Sequence, residues 1–173
     1  MPRSGIVRLA LAALLLLPAA VGCRSVAGYG FAGGGLPQHV RTVAVLPFDN
    51  RTPESQLQRE LQELLQAQFE RRLGLRIAPE GRANAVVRGT ITRFDPDVPV
   101  AYSADPTQTP SARRRLLVAI DVEVVDQVSG ETLWSRQGLS QEGEYAERDD
   151  ETGRRQALER IVNDIIEGVQ SQW

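Results

Sequence analysis

The chain has 173 residues, of which 42% are hydrophobic and 24% charged, with a formal charge of −2, one histidine and one cysteine. This suits an ordinary globular domain, and the acidic balance excludes bulk attraction to nucleic acid. One thiol and one imidazole exclude an internal disulfide and leave no ready-made metal site or nucleophile–base dyad, so no cofactor and no enzyme are expected.

The first 22 residues read as a signal peptide. Arg3 and Arg8 form a positive start, Leu9 to Leu17 an apolar core, and Ala20-Val21-Gly22 a small-residue end before Cys23. The apolar run spans about 14 Å as a helix, far short of a hydrocarbon core of roughly 30 Å, so a transmembrane anchor is not expected. Small residues ending in Gly-Cys resemble the lipobox of bacterial lipoproteins, although Ala20 stands where leucine is usual. The resemblance implies a diacylated Cys23 as mature N-terminus, a membrane anchor, and no free thiol; the other reading is a secreted protein with a stray cysteine. Arg24 comes next instead of aspartate, which implies the outer membrane, with the inner-membrane face as the alternative. Without Arg3 and Arg8 the formal charge falls by two to −4. Every cationic residue is arginine; a GC-rich coding bias explains this, while guanidinium forks also grip phosphate, so a phosphate-bearing ligand stays open.

Residues 23–40 read as a lipidated N-terminus and Gly-rich tether. Gly33-Gly34-Gly35 lacks the subsequent Gly-Lys-Ser/Thr of a phosphate loop, and His39 has no partner in sequence for catalysis. From residue 41 to 173 a single domain is expected. Arg41 to Phe48 reads as a central strand because Val43 and Val45 on one side, and Ala44 and Leu46 on the other, are all apolar. Thr52 is placed as N-cap of the first helix with Pro53 at its first position, and Gly74 as its C-cap. Leu57, Leu61, Leu64, Leu65, Phe69 and Leu73 make its apolar stripe.

Beyond an extended piece at Leu75 to Ala78 and a turn at Pro79-Glu80-Gly81 lie three strand-like runs. Val86 to Phe94 alternates; the polar, Pro-containing segment Asp95 to Ser111 separates it from Arg113 to Val125. There Leu116, Val118, Ile120, Val122 and Val124 face one way and Asp121 and Glu123 the other. A turn at Val128-Ser129-Gly130 joins this to Thr132 to Gln141, where Leu133 and Leu139 alternate with Trp134 and Arg136, giving an antiparallel hairpin. Asp121 and Glu123 have near-glycosidase spacing, but no aromatic platform nearby in sequence raises a carboxyl pKa, so a solvated face is the better reading. Asp149-Asp150-Glu151 suits the first turn of a last helix, about Glu151 to Gln172, with the stripe Leu158, Ile161, Val162, Ile165, Ile166, Val169 and Trp173. The fold class is therefore α+β, two amphipathic helices on one face of a roughly four-stranded mixed sheet in the order β-α-β-β-β-α.

Arg113-Arg114-Arg115 is the densest cation cluster in this acidic chain. One reading is a guarded strand edge; the other is a phosphate site, since Arg113 and Arg115 would share a face about 6.5–7 Å apart.

The order of elements behind a lipobox resembles the lipopolysaccharide-assembly lipoprotein family LptE. The resemblance is most specific in CRSVAGYGFAGGGLPQHVRTVAVLPFDNRT, Cys23 to Thr52, and again in Arg88-Gly89-Thr90-Ile91. It implies a non-enzymatic outer-membrane lipoprotein that binds lipopolysaccharide and sits within an LptD-like barrel, with Arg113, Arg114 and Arg115 as the tentative contacts to a lipid phosphate. The alternative is a CsgG-, TolB- or LpoB-like periplasmic module for secretion or enzyme activation, which would want more helix–strand alternation after residue 75.

Overall fold

The computed structural model of the chain describes residues 36–98, 113–146 and 149–171. The leader, Cys23, most of the Gly-rich tether, the segment 99–112 and Trp173 lie outside the described residues.

Chain order begins with two short strands, β1 (Thr42–Val45) and β2 (Asp49–Asn50), then helix α1 (Gln56–Leu73) and strand β3 (Arg76–Ile77). A 3-10 turn at Glu80–Arg82 leads into three long strands, β4 (Ala85–Val98), β5 (Arg113–Asp126) and β6 (Thr132–Ala146), and helix α2 (Asp150–Ser171) ends the fold. The sheet order is β3-β1-β4-β5-β6, with β2 beside β4. β1 runs parallel to β3 and β4, and β2 parallel to β4, while β4, β5 and β6 form an antiparallel meander. β1 and β2 are one interrupted strand: Leu46 N–H still reaches Val87 O at 2.9 Å and Arg51 N–H reaches Ile91 O at 3.0 Å. Pro47, which lacks an N–H, stands in the gap.

The α+β class and the two-helix layer agree with the sequence pattern, while the sheet has six strands and not four. The extra strands β2 and β3 are two residues each, too short to show any periodicity. β4 also continues four residues past Phe94, pairing as far as Val98 opposite Arg115. A bulge between Ile91 and Arg93 shifts its register, so that Phe94 joins Ile91 on the core face and packs against the main core.

The first helix starts later than expected. Thr52 is not its cap: the Asn50 carboxamide oxygen accepts the Thr52 N–H at 2.9 Å and its hydroxyl at 2.8 Å, while the Asn50 amide donates to Glu54 O at 2.8 Å. This closed polar turn holds residues 50–54 out of the helix, whose N-cap is Ser55. Gly74, at φ +65°, ends it as expected, and Leu75 N–H bonds back to Phe69 O at 3.2 Å.

Both stripes meet on one side of the sheet. Leu57, Leu61, Leu65 and Phe69 of α1 and Leu158, Ile161, Ile165, Ile166 and Val169 of α2 are fully buried with Leu116, Val118, Ile120 and Leu133 of the strands. Simple alternation puts Leu133 and Trp134 on opposite faces, but a register shift between Val124 and Val125 brings both into the core. Trp134 lies under Gly168, where an added Cβ would come within 2.4 Å of the indole. At the other end of α2 a Cβ on Gly143 would fall 1.8 Å from Gly153 O, so bare backbone lets helix and strand touch. Arg154 is buried between the helices, 2.5 Å from Asp150, 3.7 Å from Glu60 and 3.1 Å from Gln56 Oε1, a charge tolerable there only because it is paired.

Candidate functional site

Helices cover one face of the sheet, so the outward groups of β4, β5 and β6 form an open face. Its charges are paired, across strands from Arg88 to Glu123 at 2.5 Å and from Arg115 to Glu142 at 3.6 Å and Glu144 at 3.4 Å, and along β4 from Arg93 to Asp95 at 2.5 Å. Asp121 accepts the Gly138 N–H at 2.8 Å, a donor turned off the ladder by the bulge where Arg136 and Leu139 flank Gln137-Gly138. Asp121 and Glu123 thus each have a structural occupation and form no acid/base pair.

The arginine cluster begins β5. Arg115 stands opposite Val98 of β4 and Glu144 of β6, which places the cluster at the tip where β4 ends and β6 ends. Arg114 contacts Asp97 at 3.3 Å. The backbone of Arg113 is part of β5; the rest of that residue lies outside what the structure describes. Sequence counting found the arginines, but not the carboxylates that the two neighbouring strands, β4 and β6, bring to them.

At the opposite end of β5, Asp126 is a residue that sequence reading passes over. It is 1% exposed. Its carboxylate accepts the Val128 N–H at 2.8 Å and the Ser129 hydroxyl at 3.0 Å, and Oδ2 lies 2.6 Å from His39 Nε2. Burial pushes this carboxyl up, but the hydrogen bonds from Val128, His39 and Ser129, with the charge of His39, outweigh it and hold the carboxyl below its ordinary value. Imidazole and hydroxyl meet the same carboxylate oxygen, which stands between them, so the arrangement pins the turn and relays no proton to the serine. His39 therefore docks the chain before β1 onto the β5–β6 turn, and Val40 beside it is 4% exposed.

Two depressions flank this end. One of about 490 Å³ opens over Val86, Arg88 and Val125 beside Glu80; another of about 320 Å³ lies between Leu36, Val40, Leu73 and Leu75, with Arg41 and Arg72 at its rim. Among the described residues no group of three potential metal ligands occurs, and no helix is long and apolar enough to cross a membrane.

Charged strand tips, an open sheet face and a pinned turn mark a small α+β module. The chain belongs to the LptE family, described as lipopolysaccharide-assembly, whose model matches residues 40–173. That is a family of outer-membrane lipoproteins, not of enzymes. Among solved structures the fold is similar to protein XCC0632 from Xanthomonas campestris, at 11% identity and TM-score 0.53, covering 80% of this chain and 91% of that one. It is also similar to the PelC dodecamer from Paraburkholderia phytofirmans, at 16% identity and TM-score 0.51, covering 80% and 95%. At such identities the likeness is one of fold. A search of the curated proteins gave no match. Among the described residues, no α-helix stands between β4, β5 and β6.

Proposed function

We propose that the chain is made with a leader over residues 1–22, is acylated at Cys23, and is tethered to the outer membrane through residues 23–40, with the domain 41–173 binding lipopolysaccharide and assisting an LptD-like barrel in its assembly. The observation that carries this reading is the family match over residues 40–173. The lipid contact belongs to Arg113, Arg114 and Arg115 at the strand tip. Arg114 and Arg115 are already paired, but their side chains are 47% and 42% exposed, so each pair contributes only about 0–1 kcal/mol. A phosphate gripped where water is partly excluded contributes about 1.5–3 kcal/mol per contact, enough to displace Asp97, Glu142 and Glu144. The exchange favours the lipid inside a narrow lumen and disfavours it in open water.

The test is to purify the tagged full chain from outer membranes and measure bound barrel and lipopolysaccharide. Barrel and lipid should co-purify with the wild type, lipid should fall about ten-fold in Arg113→Glu/Arg115→Glu, and a fatty-acid probe should mark the wild type but not Cys23→Ser. A folded double variant that retains wild-type lipid would remove the tip from the site; absence of a barrel would remove the assembly role.

A further inference from the structure

The arginine tip carries its own anions. Arg115 stands directly opposite Glu144 of β6, with Glu142 two residues along the same strand, so both carboxylates belong to the sheet face that Arg115 occupies. They meet different nitrogens of its guanidinium: Nη1 lies 3.6 Å from Glu142 and Nε 3.4 Å from Glu144. Arg114 has Asp97 of β4 at 3.3 Å. With Arg113 included, three cations stand against three carboxylates, and these six groups sum to no net formal charge.

The backbone that bears the two glutamates is held from both sides. β6 is the outermost strand of the sheet; its inner side pairs with β5, and on its outer side two residues of α2 take the place of a further strand. The Arg160 guanidinium donates to Glu142 O at 2.7 Å, and the Glu144 N–H donates to Gln156 Oε1 at 3.1 Å. The carboxylates are thereby kept beside Arg115, while their side chains, about half exposed, remain able to swing away from it.

We propose that Glu142 and Glu144 determine which anions the tip accepts: they occupy Arg115 as internal competitors, turning away an amphiphile with one phosphate and yielding to one with two. The inference rests on the proposed function for placing a lipid phosphate at the tip, and what it adds is the selection. A single phosphate at Arg115 takes the place of two carboxylate contacts and stays close to the carboxylates it has displaced, so it gains little. A second phosphate on the same ligand binds at the high effective concentration that the first contact sets, with the next cation on that face of β5, Arg113, about 6.5–7 Å along the strand. Because the tip is neutral as a whole, no long-range field draws single-phosphate phospholipids to it. Removing the two carboxylates should therefore not weaken the tip but make it indiscriminate.

The test uses the tagged full chain, purified in a neutral detergent and freed of lipid and partner, titrated with micelles carrying phosphatidylglycerol, monophosphorylated lipid A or bisphosphorylated lipid A. The readout is the preference between ligands. Wild type should favour the bisphosphorylated lipid over the other two. Glu142→Gln/Glu144→Gln should keep the wild-type melting curve and gain about five-fold or more for each single-phosphate lipid, the effect of one arginine released toward an anionic surface, with a smaller gain for the bisphosphorylated one. Adding Arg115→Glu to that variant should abolish the gain. Glu70→Gln/Glu131→Gln, which removes the same charge from exposed residues outside the tip, should leave the preference as in wild type. A preference unmoved in Glu142→Gln/Glu144→Gln, while Arg113→Glu/Arg115→Glu loses the bisphosphorylated lipid, would overturn the selection and leave the lipid site standing. An equal change in Glu70→Gln/Glu131→Gln would reduce the effect to bulk charge and overturn it as well. Wild-type binding of the bisphosphorylated lipid by a folded Arg113→Glu/Arg115→Glu would overturn both the selection and the site, so the two failures are told apart.

Discussion

At the tip where β5 begins, Arg114 and Arg115 look onto Asp97, Glu142 and Glu144; at the corner where α1 ends, Arg41, Arg71, Arg76 and Arg82 have no carboxylate partner among the described residues. The tip is denser in sequence, yet its field is spent locally, and a ligand there must exchange one anion for another. The corner is assembled from four separate stretches of chain and keeps its field. Counting arginines along a sequence measures charge; only the neighbours across strands decide how much of that charge an approaching anion meets.

The backbone contacts under each end provide the largest test of this contrast. At the tip end Gly143 meets the carbonyl of Gly153, an atom that cannot swing aside, so Gly143→Val should cost about 4 kcal/mol or more of a 5–15 kcal/mol total and leave the protein unfolded or poorly accumulated. At the corner end Gly168 meets the Trp134 side chain and no backbone atom, and Gly168→Ala should cost about 1–3 kcal/mol. Urea denaturation of both variants checks the ranking; a milder effect at Gly143 would mean that α2 does not lean on β6 there.

Next in size is Asp126. Replacing it with asparagine weakens the bonds to His39, Val128 and Ser129 and should cost about 1.5–3 kcal/mol at neutral pH. Because the folded carboxyl sits below its unfolded value of about 3.9, this stability is fully present above that pH and is lost as pH falls through the folded value. Wild type and Asp126→Asn should therefore differ most near neutrality and converge in strong acid. A difference that grows on acidification would contradict the assignment.

The smallest effect belongs to the tip itself. Arg115→Gln removes ion pairs to Glu142 and Glu144 whose side chains are about half exposed, so the melting midpoint should move by the equivalent of under about 1 kcal/mol. A loss several times larger would make the tip a structural clasp and weaken its candidacy as a lipid contact.

The two helices and the three long strands were legible in the sequence, because apolar residues at helical spacing in Leu57 to Phe69 and Leu158 to Val169, and at alternate positions in Leu116 to Val124, leave one economical way to bury each stripe. The sequence also carried the family, whose model matches residues 40–173. Tertiary structure decided the rest. The two-residue strands β2 and β3 exist only because β4 and β1 offer them unpaired backbone groups. Trp134 is buried beside Leu133 because a register shift overrides the alternation of the strand. Asp126 and His39, 87 residues apart, meet because β1 and the β5–β6 turn share one end of the sheet. The pairing of the tip and the openness of the corner likewise arise from contacts between distant segments, and charge interactions depend on distances in space that linear spacing does not encode.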